Sequence, residues 1–152
     1  SASNDGTNFV ATDSSSKVVV STDHGENWST RSIPVSGPPA TGIAISNTGK
    51  IACCFNGIGF RSCGINDSTW SVSTIAATGS PSGITIDSTG TMIAVSSNTS
   101  KYIYTSIDGG NSFTQNNING VGISAFSAIG ATPDGLTIFA GQTKGKDITV
   151  LR

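Results

Sequence analysis

At 152 residues the chain is long enough for one domain with its own core, and its formal net charge of −1 accompanies a charged fraction of only 11%. No basic stripe is present to hold nucleic acid or an anionic membrane surface, and no apolar run approaches the roughly 20 residues that span a bilayer as a helix. Serine (24), threonine (19) and glycine (19) dominate instead, the composition of a β-rich chain with many turns.

A start at Ser1 with no signal peptide fits either a processed mature form or a fragment. The first turn, Ser3-Asn4-Asp5-Gly6, returns as Ser46-Asn47-Thr48-Gly49, Asp87-Ser88-Thr89-Gly90 and Thr132-Pro133-Asp134-Gly135, the same polar-polar-Gly chemistry each time. Short β-branched runs flank these turns, so each joins two strands, A and B, of one repeating unit. Strand B reaches C through a loop that varies in length and sequence, at residues 13–16, 56–57, 97–100 and 143–145. The units are approximately 1–40, 41–80, 81–121 and 122–152, with Pro-bearing links at 34–40 and 78–82. In this alignment the chain enters unit 1 at the end of strand A and leaves unit 4 after strand C, which predicts about fourteen strands. No segment carries a capped, apolar 3.6-residue period, so essentially no helix is expected.

The turn from C to D carries the most specific signal. In unit 1 it reads Ser21-Thr22-Asp23-His24-Gly25-Glu26-Asn27-Trp28, and a near copy, Ser106-Ile107-Asp108-Gly109-Gly110-Asn111-Ser112-Phe113, follows 85 residues later. Between them lies a damaged copy. Aligned on Ser62, it reaches Trp70 after eight residues instead of seven and has Gly64 where the aspartate belongs. Trp28 to Trp70 is 42 residues and Trp70 to Phe113 is 43, a period that marks propeller blades or solenoid coils. Four strands per repeat favour blades. Asp23 and Asp108 are expected to accept backbone N–H groups, and Gly25 and Gly110 to take a positive φ. Trp28, Trp70 and Phe113 open the outgoing strand, where a large aromatic packs against a neighbouring sheet.

Ser/Thr-x-Asp-x-Gly-x-x-Trp/Phe repeated at this spacing resembles the Asp box of the sialidase-like, BNR-repeat β-propellers. The resemblance implies an all-β propeller of four-stranded antiparallel blades, about three and a half per chain, with the box as a structural turn away from any active-site face. Sialidases of that superfamily use three arginines, a Tyr and Glu pair and an Asp. Here the arginines are Arg31, Arg61 and Arg152, the single glutamate is Glu26 inside a box, and the Arg-Ile-Pro type motif is missing. The resemblance therefore implies a fold without sialidase catalysis.

No other catalytic constellation emerges. His24, the single histidine, occupies a variable box position, and the acidic residues Asp5, Asp87, Asp134, Asp23, Glu26, Asp67 and Asp108 lie in turns. No cofactor or metal is expected, and Cys53, Cys54 and Cys63 read as buried thiols. A two-residue Asn56-Gly57 turn places Phe55 opposite Ile58, Cys54 opposite Gly59 and Cys63 opposite Lys50. Asn27, Asn66 and Asn98 head Asn-x-Ser/Thr sequons, acceptors for glycosylation given a eukaryotic secretory origin. A polar, weakly charged surface suits neutral sugars, so the expected function is a secreted or surface lectin-like module for a glycan or protein ligand. Its candidate contacts, on the B–C loops, are Asn56, Asn98, Tyr102 and Lys144. A structural or assembly role in a virion, appendage or scaffold is the alternative. Two cut edges, near residues 8–11 and 148–151, predict a homo-oligomer, most simply a dimer that completes the propeller.

Overall fold

The computed structural model describes residues 1–15, 17–34, 39–56, 59–75, 80–118, 125–142 and 148–152. These residues form an all-β chain in which inner strands such as Lys50–Phe55 and Ile93–Ser97 are buried on both faces, while last strands such as Ser29–Ser32 and Thr114–Asn117 are mostly exposed. Fourteen strands are present among them. Sheet 1 is β1 (Phe9–Thr12), β2 (Lys17–Ser21) and β3 (Ser29–Ser32). Sheet 2 is β4 (Ala40–Ile45), β5 (Lys50–Phe55), β6 (Gly59–Gly64) and β7 (Ser71–Ser73). Sheet 3 is β8 (Pro81–Ile86), β9 (Ile93–Ser97), β10 (Tyr102–Ser106) and β11 (Thr114–Asn117), and sheet 4 is β12 (Phe126–Ala131), β13 (Ile138–Gln142) and β14 (Ile148–Leu151). Every sheet is an antiparallel meander in chain order, so each pairing is local and set by its hairpin turn.

The sheets stack face to face, and the ladders make their faces comparable. Val18, Phe60, Ile103 and Ile148 hold one equivalent position, opposite Thr12, Cys54, Ser96 and Gly141 respectively. This side of each sheet is termed its trailing face. The opposite, leading face carries Phe9, Ile51, Ile93 and Ile138, paired with Ser21, Cys63, Ser106 and Leu151. The trailing face of sheet 1 (Val10, Val18, Val20) packs on the leading face of sheet 2 (Ile45, Ile51, Cys53, Phe55). Sheet 2 meets sheet 3 through Ala52, Cys54 and Phe60 against Ile84, Ile93, Val95 and Tyr104. Sheet 3 meets sheet 4 through Ala94 and Ile103 against Phe126, Ile138 and Ala140. One kind of contact, made three times, contains the core.

The first strands approach most closely. A Cβ on Gly42 would stand 3.1 Å from Ile84 Cγ2, and one on Gly83 would stand 3.2 Å from Ile129 Cγ2, so the backbone of β4 and then β8 rests on an isoleucine of the next sheet. Both glycines adjoin a β-bulge. The A–B turns continue the stacking in hydrogen bonds: Asn47 N–H donates to Ser88 O at 3.1 Å and Ser88 N–H to Pro133 O at 2.8 Å. Pro133 has no N–H to extend this line.

Two expectations about register are corrected. Phe55 pairs with Gly59, not Ile58, because Gly59 enters β6 at a φ of 83°; Cys54 therefore faces Phe60 and Cys63 faces Ile51. A Cβ at Gly59 would lie 2.9 Å from Ser73 O, which reserves the position for glycine. The edge expected to be open at residues 8–11 is also largely occupied. Ser1 and Val10 exchange backbone bonds of 2.8 and 2.9 Å, and Ser3 N–H donates to Asn8 O at 2.8 Å.

The three cysteines are free and buried. Burial pushes the Cys54 and Cys63 thiols up to about 11, the latter against the pull of Arg31, and pushes Cys53 further still. Because the thiolate is the reactive form, all three thiols should stay silent to a disulfide reagent in the native protein and react once guanidinium unfolds it. A fast-reacting thiol in the folded state would contradict this packing.

Candidate functional site

The two intact boxes share one network. Ser21 Oγ donates to Asp23 Oδ1 at 2.7 Å and accepts Gly25 N–H at 2.9 Å, while Asp23 Oδ1 and Oδ2 accept the Asn27 backbone N–H (2.9 Å) and side-chain Nδ2 (2.7 Å). In unit 3, Ser106 Oγ donates to Asp108 Oδ1 at 2.7 Å and accepts Gly110 N–H at 2.8 Å. Asp108 also accepts the Asn111 and Ser112 N–H groups, both at 3.0 Å, and Ser112 Oγ at 2.6 Å. Gly25 and Gly110 take φ values of 89° and 92°, as their type predicts; His24, at φ 60°, adopts the left-handed region as well. The carboxylates are spent on the turn itself.

The aromatics divide. Phe113 meets Phe60 of sheet 2 edge-on, with ring centroids 5.0 Å apart, and Trp70 packs against the core shared by sheets 1 and 2. Trp28 corrects the expectation that all three pack on a neighbouring sheet. It is 50% exposed, its Nε1 donates to Gly25 O at 3.0 Å, and its ring leans on Phe9 of its own sheet. Phe113 and Trp70 thus reach the preceding sheet, whereas the ring contact of Trp28 stays within sheet 1.

The damaged box is also realigned. Cys63, not Ser62, sits at the ladder position of Ser21 and Ser106, and Trp70 follows it by the regular seven residues. The turn is closed from its far side: Gly64 N–H donates to Asp67 Oδ2 at 2.9 Å, and Asp67 N–H to Gly64 O at 3.0 Å. Released from box duty, this segment borders a cleft of about 350 Å³ between units 1 and 2, lined by Arg31, Ser32, Asn66, Asp67, Ser68 and Trp70. Arg31 Nη1 is held on Asp67 O at 2.8 Å. A second hollow of about 290 Å³ adjoins it, bordered by Lys50, Ser62, Asp67 and Thr69. The signal in the sequence was the departure from the box pattern itself, Asn66-Asp67-Ser68-Thr69-Trp70.

The residues singled out on the B–C loops do not assemble comparably. Asn56 and Asn98 are exposed, and Tyr102 is half-buried with its ring 6.4 Å from that of Tyr104, whose hydroxyl is buried without a hydrogen-bond partner. No hydrogen bond joins Asn56 to Asn98 or Tyr102 among the described residues, and Lys144 lies outside them. Of the sequons, Asn27 has its amide engaged by Asp23, Asn66 borders the cleft, and Asn98 is exposed on its loop with its backbone N–H donating to Ser80 O at 3.0 Å. Among the described residues no three His, Cys, Asp or Glu side chains gather as a metal site, and no helix is long and apolar enough to cross a membrane. No family model matches the chain, and no curated protein matches it.

The boxes carry a measurable electrostatic signature. Hydrogen bonds from the Asn27 backbone and side chain and from Ser21 lower Asp23 from 3.8 to about 2, and those from Ser112 and Ser106 hold Asp108 far below the usual carboxylate range. A depressed folded value stabilises the native state above the unfolded value and loses that contribution as pH falls through the folded one. Thermal unfolding of the parent should therefore shift to lower temperature from about pH 4 down to about pH 2. Asp23→Asn and Asp108→Asn should each lower the midpoint at pH 7 and flatten this acid limb. Midpoints at pH 7 equal to the parent's in both variants would remove the boxes from the stability of the fold.

Proposed function

We propose that the chain is a non-enzymatic recognition module of the Asp-box, sialidase-like β-propeller superfamily, its four sheets serving as blades, and that it binds neutral sugars of a glycan at the cleft beside Trp70. The observation that carries this reading is the lining of that cleft: an aromatic ring next to an exposed carboxylate, an amide, two hydroxyls and a guanidinium. Sugar C–H faces stack on indole, and sugar hydroxyls both donate and accept, which matches Asp67, Asn66, Ser68 and Arg31 taken together. About 350 Å³ is room for one or two sugar rings and falls within the ordinary range of ligand sites. The two aligned box networks and the single kind of sheet contact support blade geometry. Glu26 is exposed within a turn and Arg31 is held by backbone carbonyls, an arrangement that supports binding over sialidase-type catalysis. Glycan recognition fits an extracellular or surface-associated protein.

A second reading, a structural or assembly protein that docks other proteins on the propeller, is favoured by exposed Leu136, Phe139, Ile148 and Val150.

The sugar reading is tested by a glycan array followed by calorimetric titration. Arg31→Ala and Ser68→Ala should each weaken binding about tenfold, the loss of a hydrogen bond worth about 1.4 kcal/mol. Asn98→Ala and Tyr102→Ala should leave it unchanged. An array with no glycan above background, or affinity sensitive to Asn98 and Tyr102 but not to Arg31, would place the function elsewhere.

A further inference from the structure

The two ends of the stack present the two halves of the contact that the interior makes three times. At the trailing position shared by all four ladders, Val18, Phe60 and Ile103 are 0%, 1% and 0% exposed, whereas Ile148 of sheet 4 is 69% exposed. Phe139 and Val150 share that face and are 42% and 47% exposed. At the other end, Cys53, Val95 and Ala140 are wholly buried at the leading position where sheet 1 places exposed Ala11. Phe9 and Val19 are half-exposed beside it, and the Trp28 ring leans on Phe9. Among the described residues the chain therefore carries an uncovered trailing face of apolar side chains and an uncovered leading face on which Phe9, Ala11 and Val19 are bordered by Lys17, Thr30 and Ser32, and it does not close on itself.

We infer that a second copy of the chain covers both: the trailing face of sheet 4 in each copy packs on the leading face of sheet 1 in the other. Continuity selects this occupant, because the chain's own sheet 1 already presents the leading face that a trailing face receives within the chain. Two copies joined by two equal contacts stack eight sheets into a closed ring, within the usual span of propellers, and satisfy a two-fold axis. Edge pairing is disfavoured because Ser1 and Ser3 already use the Asn8 and Val10 backbone. Pro133, which ends the line of turn bonds, leaves no donor unsatisfied at the new junction. The association holds whether or not the cleft between units 1 and 2 binds sugar.

Light scattering coupled to size exclusion should give twice the 15.3 kDa of the chain at micromolar concentration. Ile148→Asp on the trailing face and Ala11→Arg on the leading face should each reduce the mass to that of one chain with unchanged circular dichroism. Ile107→Asp, on an exposed box turn away from both faces, should keep the doubled mass. Mixing the Ile148→Asp and Ala11→Arg proteins should restore it, since one junction is then unaltered and the other pairs Asp with Arg. A single-chain mass for the parent, a larger open assembly, doubled mass in the two face variants, or no rescue on mixing would each overturn the inference.

Discussion

The structure depends on one contact, the seating of a sheet's trailing face on the leading face of the next. A meander of three or four short strands has two faces and little thickness, so its apolar side chains are buried only when a neighbouring sheet covers them. Successive sheets cover one another with side chains at fixed ladder positions: Val18 on sheet 2, Phe60 on sheet 3, Ile103 on sheet 4. Glycines at 42 and 83 let the first strands approach closely enough for an isoleucine of the next sheet to lie against bare backbone.

The boxes serve that contact. A C–D turn must reverse the chain with two residues in left-handed geometry, His24 and Gly25 or Gly109 and Gly110, and it leaves N–H groups without strand partners. A serine hydroxyl and an ionised aspartate collect them, and the same reversal delivers the aromatic toward the preceding sheet. Because these carboxylates are satisfied by the turn, their lowered pKa values report the hydrogen bonds that hold it. The copy that lost the pattern is the informative one. With Cys63 in place of the serine and Asp67 closing the turn from the other side, the segment gains polar groups that face a cleft, and Arg31 from sheet 1 reaches across to complete it.

Much of this was legible in the chain. The recurrence of the C–D turn motif and the polar-polar-Gly turn gave the order of the strands along the chain and the positive φ at Gly25 and Gly110, because turn chemistry is local and each requirement falls on a named residue type. The absence of helix among the described residues followed from the lack of a 3.6-residue period, for the same reason. The damaged box was misaligned by one residue, since Ser62 imitates the motif while the ladder position belongs to Cys63; the pairing of Phe55 with Gly59 fixes that ladder, and composition does not reveal it.

Sequence by itself determined the units, their turns and the alternation that assigns each side chain to a face. Tertiary structure alone decided which face meets which neighbour. It thereby left Trp28 exposed and Phe113 covered despite equivalent motifs, filled the edge of β1 with Ser1 and Ser3, and placed Arg31 beside Asn66 and Trp70. The physical reason is range. A turn is settled by contacts among residues a few positions apart, whereas coverage of a face depends on another sheet some forty residues away, and a motif at the end of a stack carries no mark of the neighbour it lacks.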